Sequence, residues 1–349
     1  MKCTIQNIAD HLGLSRNTVS KALKNSSEVS ENTRNLVIKT ASKLGYKNAT
    51  FATPVIPASE TGSNGTILFL TRTYASDSEF WTTVLRGIES ILSNANYHLA
   101  ISIMSDSDLK QLNFPQTISD SSIKGIILVE ICDKVVCDAL SQFNLPIVSV
   151  DMPNVPFEEL NGIDVVTMES KKKLKKIINQ LIEKGAESFG FVGDLYSPNV
   201  SRGFQERYNA LSECLAEHQL PLNQKNCLLH QTPEDFRNFQ TTVNNLQAMI
   251  SLPDVFICGN DWTAIQLIYA LQFLGFQIPK DICVVGFDNI PAASRISPSL
   301  TTISTPQKYL GIAAARQILE RIQHPNCPHV FCQYETELII RNSTNITSF

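Results

Sequence analysis

Arg16, Asn17 and Lys21 stand close together in the stretch S-R-N-T-V-S-K-A-L-K-N, near the start of a 349-residue chain. These are side chains that read base edges: arginine forks onto guanine, asparagine onto adenine, and lysine reaches guanine or phosphate. Around them, Thr18, Ser20, Asn25, Ser30 and Thr33 can hold phosphate oxygens through a hydroxyl, an amide or a helix N-terminus. Charge points the same way. Residues 1–48 carry eight Lys/Arg against three Asp/Glu, although the whole chain is −4. A basic head on an acidic body is the distribution expected of a protein that tracks DNA phosphates with one module only.

Such side chains need a scaffold, and the local pattern supplies one. Thr4 and Ser15 stand where helix N-caps are wanted, and Ser30 begins a third helix that Gly45 would end. Between the first two helices Gly13 suits a left-handed turn, Ala9 a close approach, and Val19 a branched lock. Ile5, Ile8, Leu12, Leu14, Val19, Leu23, Val37 and Leu44 have the spacing of a small core. The expectation is an all-α helix-turn-helix head over residues 1–48. Residues 49–65, rich in Pro, Ser, Thr and Gly, read as a linker.

Beyond the linker, short β-branched runs alternate with amphipathic stretches. The runs include Thr66–Leu70, Gly125–Val129, Ile147–Val150, Val255–Cys258 and Cys283–Phe287, and the helical stretches include Phe80–Ser93 and Lys171–Lys184. Buried runs joined by crossover helices imply α/β architecture with parallel sheets. Paired units of this kind bind small molecules at the carboxyl ends of their strands.

Other classes are disfavoured. No apolar run approaches the ~20 residues of a membrane span, and no signal-peptide core is evident. The nine cysteines are scattered, which suits reduced thiols in the cytoplasm. There is no phosphate-cradling loop, nucleophile elbow or zinc-protease motif, so no enzyme activity and no cofactor are expected. The cluster His324, Cys327, His329 and Cys332 is set aside as a metal site, because His329 and Cys332 would face opposite ways in an extended strand. Lys171 to Lys176 read as the solvated face of an amphipathic helix.

Taken together, S-R-N-T-V-S-K-A-L-K-N, V-S-E-N-T-R and K-L-G-Y in the head, with L-R-G-I-E, I-P-K-D-I-C-V-V-G-F-D-N-I-P, S-P-S-L-T-T-I-S-T-P and T-E-L-I-I-R-N-S-T beyond it, resemble the lactose-repressor family of bacterial regulators. The resemblance implies a sensor of two Rossmann-like lobes over 66–349, built like periplasmic sugar-binding proteins. It places the first lobe at about 66–165 and 290–323, and the second at about 166–289 and 324–349. It also implies a homodimer that binds palindromic operator DNA, with affinity set by a small effector such as a sugar. By register, Arg207, Asp288, Asn260 and Asp261 match cleft residues of the family, and Phe80 and Trp81 fall where relatives place aromatics against the ligand. Asp151 and Glu169 are weaker candidates.

The chain departs from the family at the hinge. Where relatives have Pro-Asn and an Ala-Arg-x-Leu helix, Y-K-N-A-T-F-A-T-P-V has Thr53 for the arginine, Pro54 inside the would-be helix and Val55 for the leucine. A tether that orders little on DNA is expected. Two readings stay open beside a ligand-controlled repressor: a DNA-binding regulator without a small-molecule response, and an activator.

Overall fold

The computed structural model describes residues 4–23, 29–30, 33, 36–37, 40–41, 63–72, 78–195, 201–230 and 238–346. The chain divides into two units, residues 1–62 and 63–349. The hinge residues singled out above, and Asn25, lie outside the described residues.

In the first unit, helix α1 (Ile5–Leu12) starts at Thr4, whose hydroxyl accepts from the Asn7 amide while the Asn7 side chain answers the Thr4 amide at 2.9 Å. This reciprocal cap satisfies amides that the helix cannot. Gly13 ends α1 in the left-handed region, at φ 64°, where a side chain would be strained. Helix α2 (Arg16–Leu23) follows at once, its Thr18 amide donating to Ser15 Oγ at 3.0 Å. Ile8, Ala9, Val19, Ala22, Val29, Val37 and Ala41 form the core beneath.

The second unit holds two six-stranded sheets. The first contains β1 (Thr66–Arg72), β2 (His98–Met104), β3 (Ile123–Val129), β4 (Ile147–Val150) and β5 (Ile163–Met168), all parallel. The second contains β6 (Phe189–Asp194), β7 (Leu228–His230), β8 (Val255–Cys258), β9 (Cys283–Asp288) and β10 (Thr301–Ser304), again parallel. Then β11 (Phe331–Tyr334) returns to pair with β5, and β12 (Glu337–Ile339) runs antiparallel to β10. Fully buried strand interiors, such as Ile67 to Leu70 and Val255 to Cys258, explain why the apolar runs do not alternate.

Helices cover the faces: α3 (Glu79–Asn94), α4 (Asp106–Gln111) and α5 (Lys134–Ser141) in the first lobe, then α6 (Lys172–Glu183), α7 (Arg202–Glu217), α8 (Phe239–Ala248) and α9 (Asp261–Phe273) in the second. The last helix, α10 (Gln307–Gln323), packs on α3 in the first lobe. Gly87 and Gly311 allow that contact: a Cβ on Gly87 would strike the Lys308 carbonyl, and one on Gly311 the Val84 carbonyl. Lys171 and Lys175 pair with Glu213, and Lys172 with Glu335, as a solvated face would.

Strand pairing corrects the expected lobe boundaries. Residues 301–304 belong to the second sheet, although the segment 290–323 had been assigned to the first lobe; 331–334 belong to the first sheet, although 324–349 had been assigned to the second. The chain thus crosses between lobes after β5, between β10 and α10, and between β11 and β12. A strand's own composition records that it is buried, not which of two similar sheets it joins.

Candidate functional site

The head carries the side chains expected to read bases on α2. Arg16, Asn17 and Lys21 are exposed, while Val19 and Ala22 on the opposite face are buried in the head core. Thr18 and Ser20 are half-buried. The Thr18 hydroxyl shares a hydrogen bond with Ser15 at 2.8 Å, and Thr33 repeats the arrangement with Ser30 at 2.8 Å. These hydroxyls sit at helix starts, where amide N–H groups gather and an anion is favoured.

In the second unit, a cavity of about 640 Å³ opens between the two lobes. It lies at the carboxyl ends of both sheets, at the points where strand order reverses: β2-β1-β3 in one and β7-β6-β8 in the other. From the first lobe come Glu79, Phe80 and Trp81 at the start of α3, Glu130 after β3, Asp151 after β4, and Met168. From the second come Phe204 and Arg207 on α7, Asn260 and Trp262 at the start of α9, and Asp288 at the end of β9. Phe80 and Trp81 meet edge to face, with centroids 4.6 Å apart.

Arg207 is only 3% exposed. Its Nη1 donates to the Gly259 carbonyl at 2.6 Å, its Nε has no hydrogen-bond partner, and its Cζ lies 3.6 Å from the centre of the Phe287 ring. Burial pulls its pKa below the usual value, against the opposing pull of Asp288 and Asp151. Burial pushes the Asp288 carboxyl well above the usual carboxylate range; Arg207 opposes this, and Asp261, Asp151 and Glu130 add to it.

Three of the acidic lining residues have left-handed backbones: Glu130 at φ 59°, Asp151 at φ 74° and Asp288 at φ 116°. Such conformations cost about 1–3 kcal/mol each and persist where neighbours enforce them. Around Asp288 the enforcement is visible, because its carbonyl accepts from Gln307 Nε2 at 2.7 Å and from Thr305 Oγ1 at 3.2 Å. Both donors sit where the chain crosses from β10 to α10. Asp151 is held otherwise: its carboxylate accepts from the Met152 amide at 2.8 Å and from Ser201 Oγ of the other lobe at 2.6 Å.

Most of the expected cleft residues meet here: Phe80, Trp81, Arg207, Asn260 and Asp288, with Asp151 beside them. Asp261 does not. It is fully buried behind the cavity, accepting from Thr302 Oγ1 at 2.5 Å and the Ile290 amide at 2.9 Å, so it braces β10 against α9. Glu169 also turns away, accepting from the Lys171 and Lys172 amides at 2.9 and 2.8 Å at the start of α6. Glu130, Phe204 and Trp262 were not anticipated. Glu130 follows β3 as Asp151 follows β4, so the strand-end rule applied to every strand would have found it.

Two family models match the chain. The model for bacterial regulatory proteins of the lacI family covers residues 4–48, and that for the periplasmic binding protein-like domain covers residues 178–344. Among curated relatives, the HTH-type transcriptional repressor PurR of Photobacterium profundum is 26% identical, over 97% of this chain and 98% of its own length. The ribose operon repressor of Haemophilus influenzae is 27% identical over 97% of this chain and 98% of its own. Among solved structures, the transcriptional regulator CelR in complex with cellobiose aligns with a TM-score of 0.69 at 19% identity, covering 98% of this chain and 100% of that one. The lac repressor dimer bound to operator and the anti-inducer ONPF aligns with a TM-score of 0.67 at 19% identity, covering 99% of each.

Proposed function

From a chain that belongs to the lacI family of bacterial regulatory proteins, we propose a ligand-controlled transcriptional repressor that acts as a homodimer on palindromic operator DNA. Arg16, Asn17 and Lys21 read bases, and Thr18, Ser20, Asn25, Ser30 and Thr33 hold phosphates. Two heads are needed because a single small module buries too little surface for tight specific binding. A small hydroxyl-bearing effector, a sugar or sugar derivative, occupies the inter-lobe cavity against Phe80, Trp81, Arg207, Asn260 and Asp288. The protein works in the cytoplasm and catalyses no reaction; among the described residues no helix is long and apolar enough to cross a membrane.

The observation that carries this reading is the cavity between the lobes, lined by Arg207 of α7 and by Asp288 at the end of β9, in a chain that also holds the head. The backbone of Asp288 is bonded to the crossing residues Thr305 and Gln307. A ligand that engages the Asp288 side chain therefore bears directly on a segment that must bend if the lobes move. The coupling available is the ligand's differential affinity for the two lobe arrangements, typically ~1–3 kcal/mol.

The test is selection of genomic fragments by the purified protein at near-physiological salt, followed by anisotropy titration of the recovered site with and without sugars. Recovery of a short palindrome whose affinity shifts at least several-fold with one sugar supports the reading. Sequence-blind, salt-sensitive binding that no sugar alters contradicts it.

A further inference from the structure

We propose that the effector carries a protonated amine beside its hydroxyls, so that the cavity selects an amino sugar or similar small cationic polyol over neutral or phosphorylated counterparts. This rests on the cavity being the effector site.

The charge of the lining is lopsided. Among the described lining residues, Glu79, Glu130, Asp151 and Asp288 stand against one cation, Arg207. Moreover, the four acids are not equally engaged. Both oxygens of Asp151 are taken up by the Met152 amide and Ser201. In contrast, no described residue donates a hydrogen bond to the Asp288 carboxylate.

One arginine, Arg207, does not neutralise that lining. One of its nitrogens is committed to the Gly259 carbonyl, and its flat face lies on Phe287. Its Nε–H has no partner and is buried with the rest of the side chain, which is 3% exposed. The second terminal nitrogen makes no hydrogen bond to a described residue and can donate to a hydroxyl oxygen. A phosphate or carboxylate entering here would meet an excess of negative charge in a partly desolvated space, where repulsion is poorly screened.

An ammonium meets the opposite surroundings. Carboxylates favour it electrostatically, and the rings of Phe80, Trp81 and Trp262 line the same space and can offer their faces. The cavity volume falls in the ~300–1,000 Å³ range of small-molecule sites.

The experiment is calorimetric titration of the full-length protein at neutral pH with matched sets: glucose, glucosamine and glucose 6-phosphate, and the corresponding galactose and mannose sets. Operator binding is followed in parallel. The expected result is that at least one aminohexose binds tenfold or more tightly than its parent, and that no phosphate outcompetes it. Glu130→Gln, and separately the exposed Glu79→Gln, should each lower the amine-to-parent ratio, with thermal melting confirming that each variant is folded. A parent hexose or a phosphate that binds as tightly as the amine, and shifts operator affinity, overturns this inference while leaving the effector cavity intact. Absence of binding by every aminohexose overturns it as well, and operator affinity in the same samples then reports on the head independently.

Discussion

The Arg207 guanidinium, part of the cavity lining, lies with Cζ 3.6 Å from the centre of the Phe287 ring. A planar cation on an aromatic face is fixed in orientation, and its remaining donors are fixed with it. Arg207→Lys keeps the charge and loses both the flat contact and the fork. We expect effector affinity to fall by about tenfold or more, in keeping with a lost hydrogen bond to a charged group. Calorimetry on the folded variant checks this; unchanged affinity would mean that Arg207 serves the fold alone.

Asp261 gives the sensor a pH dependence of known sign. Burial pushes its carboxyl up to about 7, held back by the Thr302 hydroxyl and the Ile290 amide. The folded state then holds a proton that the unfolded chain, near 3.8, has released. Its contribution to stability is complete below the unfolded value and is lost as pH rises through the folded one. The melting temperature of the full chain should therefore decline between pH 5 and 8, and Asp261→Asn should make that decline shallower. An equal slope in the variant would assign the effect elsewhere.

The α3–α10 contact is steric in origin. Gly87→Ala and Gly311→Ala each drive a methyl into backbone carbonyls across the interface, of Lys308 and Val84 respectively. Neither carbonyl is the yielding end of a side chain. A loss of about 1–3 kcal/mol in chemical denaturation is expected for either, as for other overpacked cores. Gly185, with open space around it but φ 96°, offers a contrast: alanine there is strained without colliding.

At the head, Arg16 and Lys21 should separate by the kind of loss they produce. If Arg16 forks onto a base, Arg16→Ala costs about 1–3 kcal/mol on the operator and relaxes selectivity at one base pair. If it contacts phosphate instead, binding weakens uniformly across sequences and the salt dependence becomes less steep. Binding to a set of single-base operator variants at several salt concentrations distinguishes the two.

Much of this architecture is legible in residue order. The caps at Thr4 and Ser15, the left-handed Gly13 and the buried β-branched runs are local signals, and local physics reproduces them. Arg207 and Asp288 were placed by resemblance, and geometry brings them to one cavity. Asp261 illustrates what local reading misses. It stands one position after the capping Asn260, and whether such a carboxylate faces a cleft or a neighbouring strand depends on Thr302, some forty residues on. The exchange of β10 and β11 between lobes has the same cause, since strand partners are chosen by register with distant segments.

The interleaving of the lobes also has consequences for how the protein is made. The amide of Val330 donates to the Asp164 carboxylate across a sequence separation of 166 residues, beside the point where β11 closes the first sheet. As the polypeptide emerges from the ribosome, β5 has no outer neighbour until β11, 166 residues on from Asp164 to Val330, has been synthesised. Throughout that interval its backbone N–H and C=O groups form an open edge, the kind of surface that invites pairing with another nascent chain. Neither lobe can be complete as a co-translational unit, so the sensor matures only when its last strands arrive.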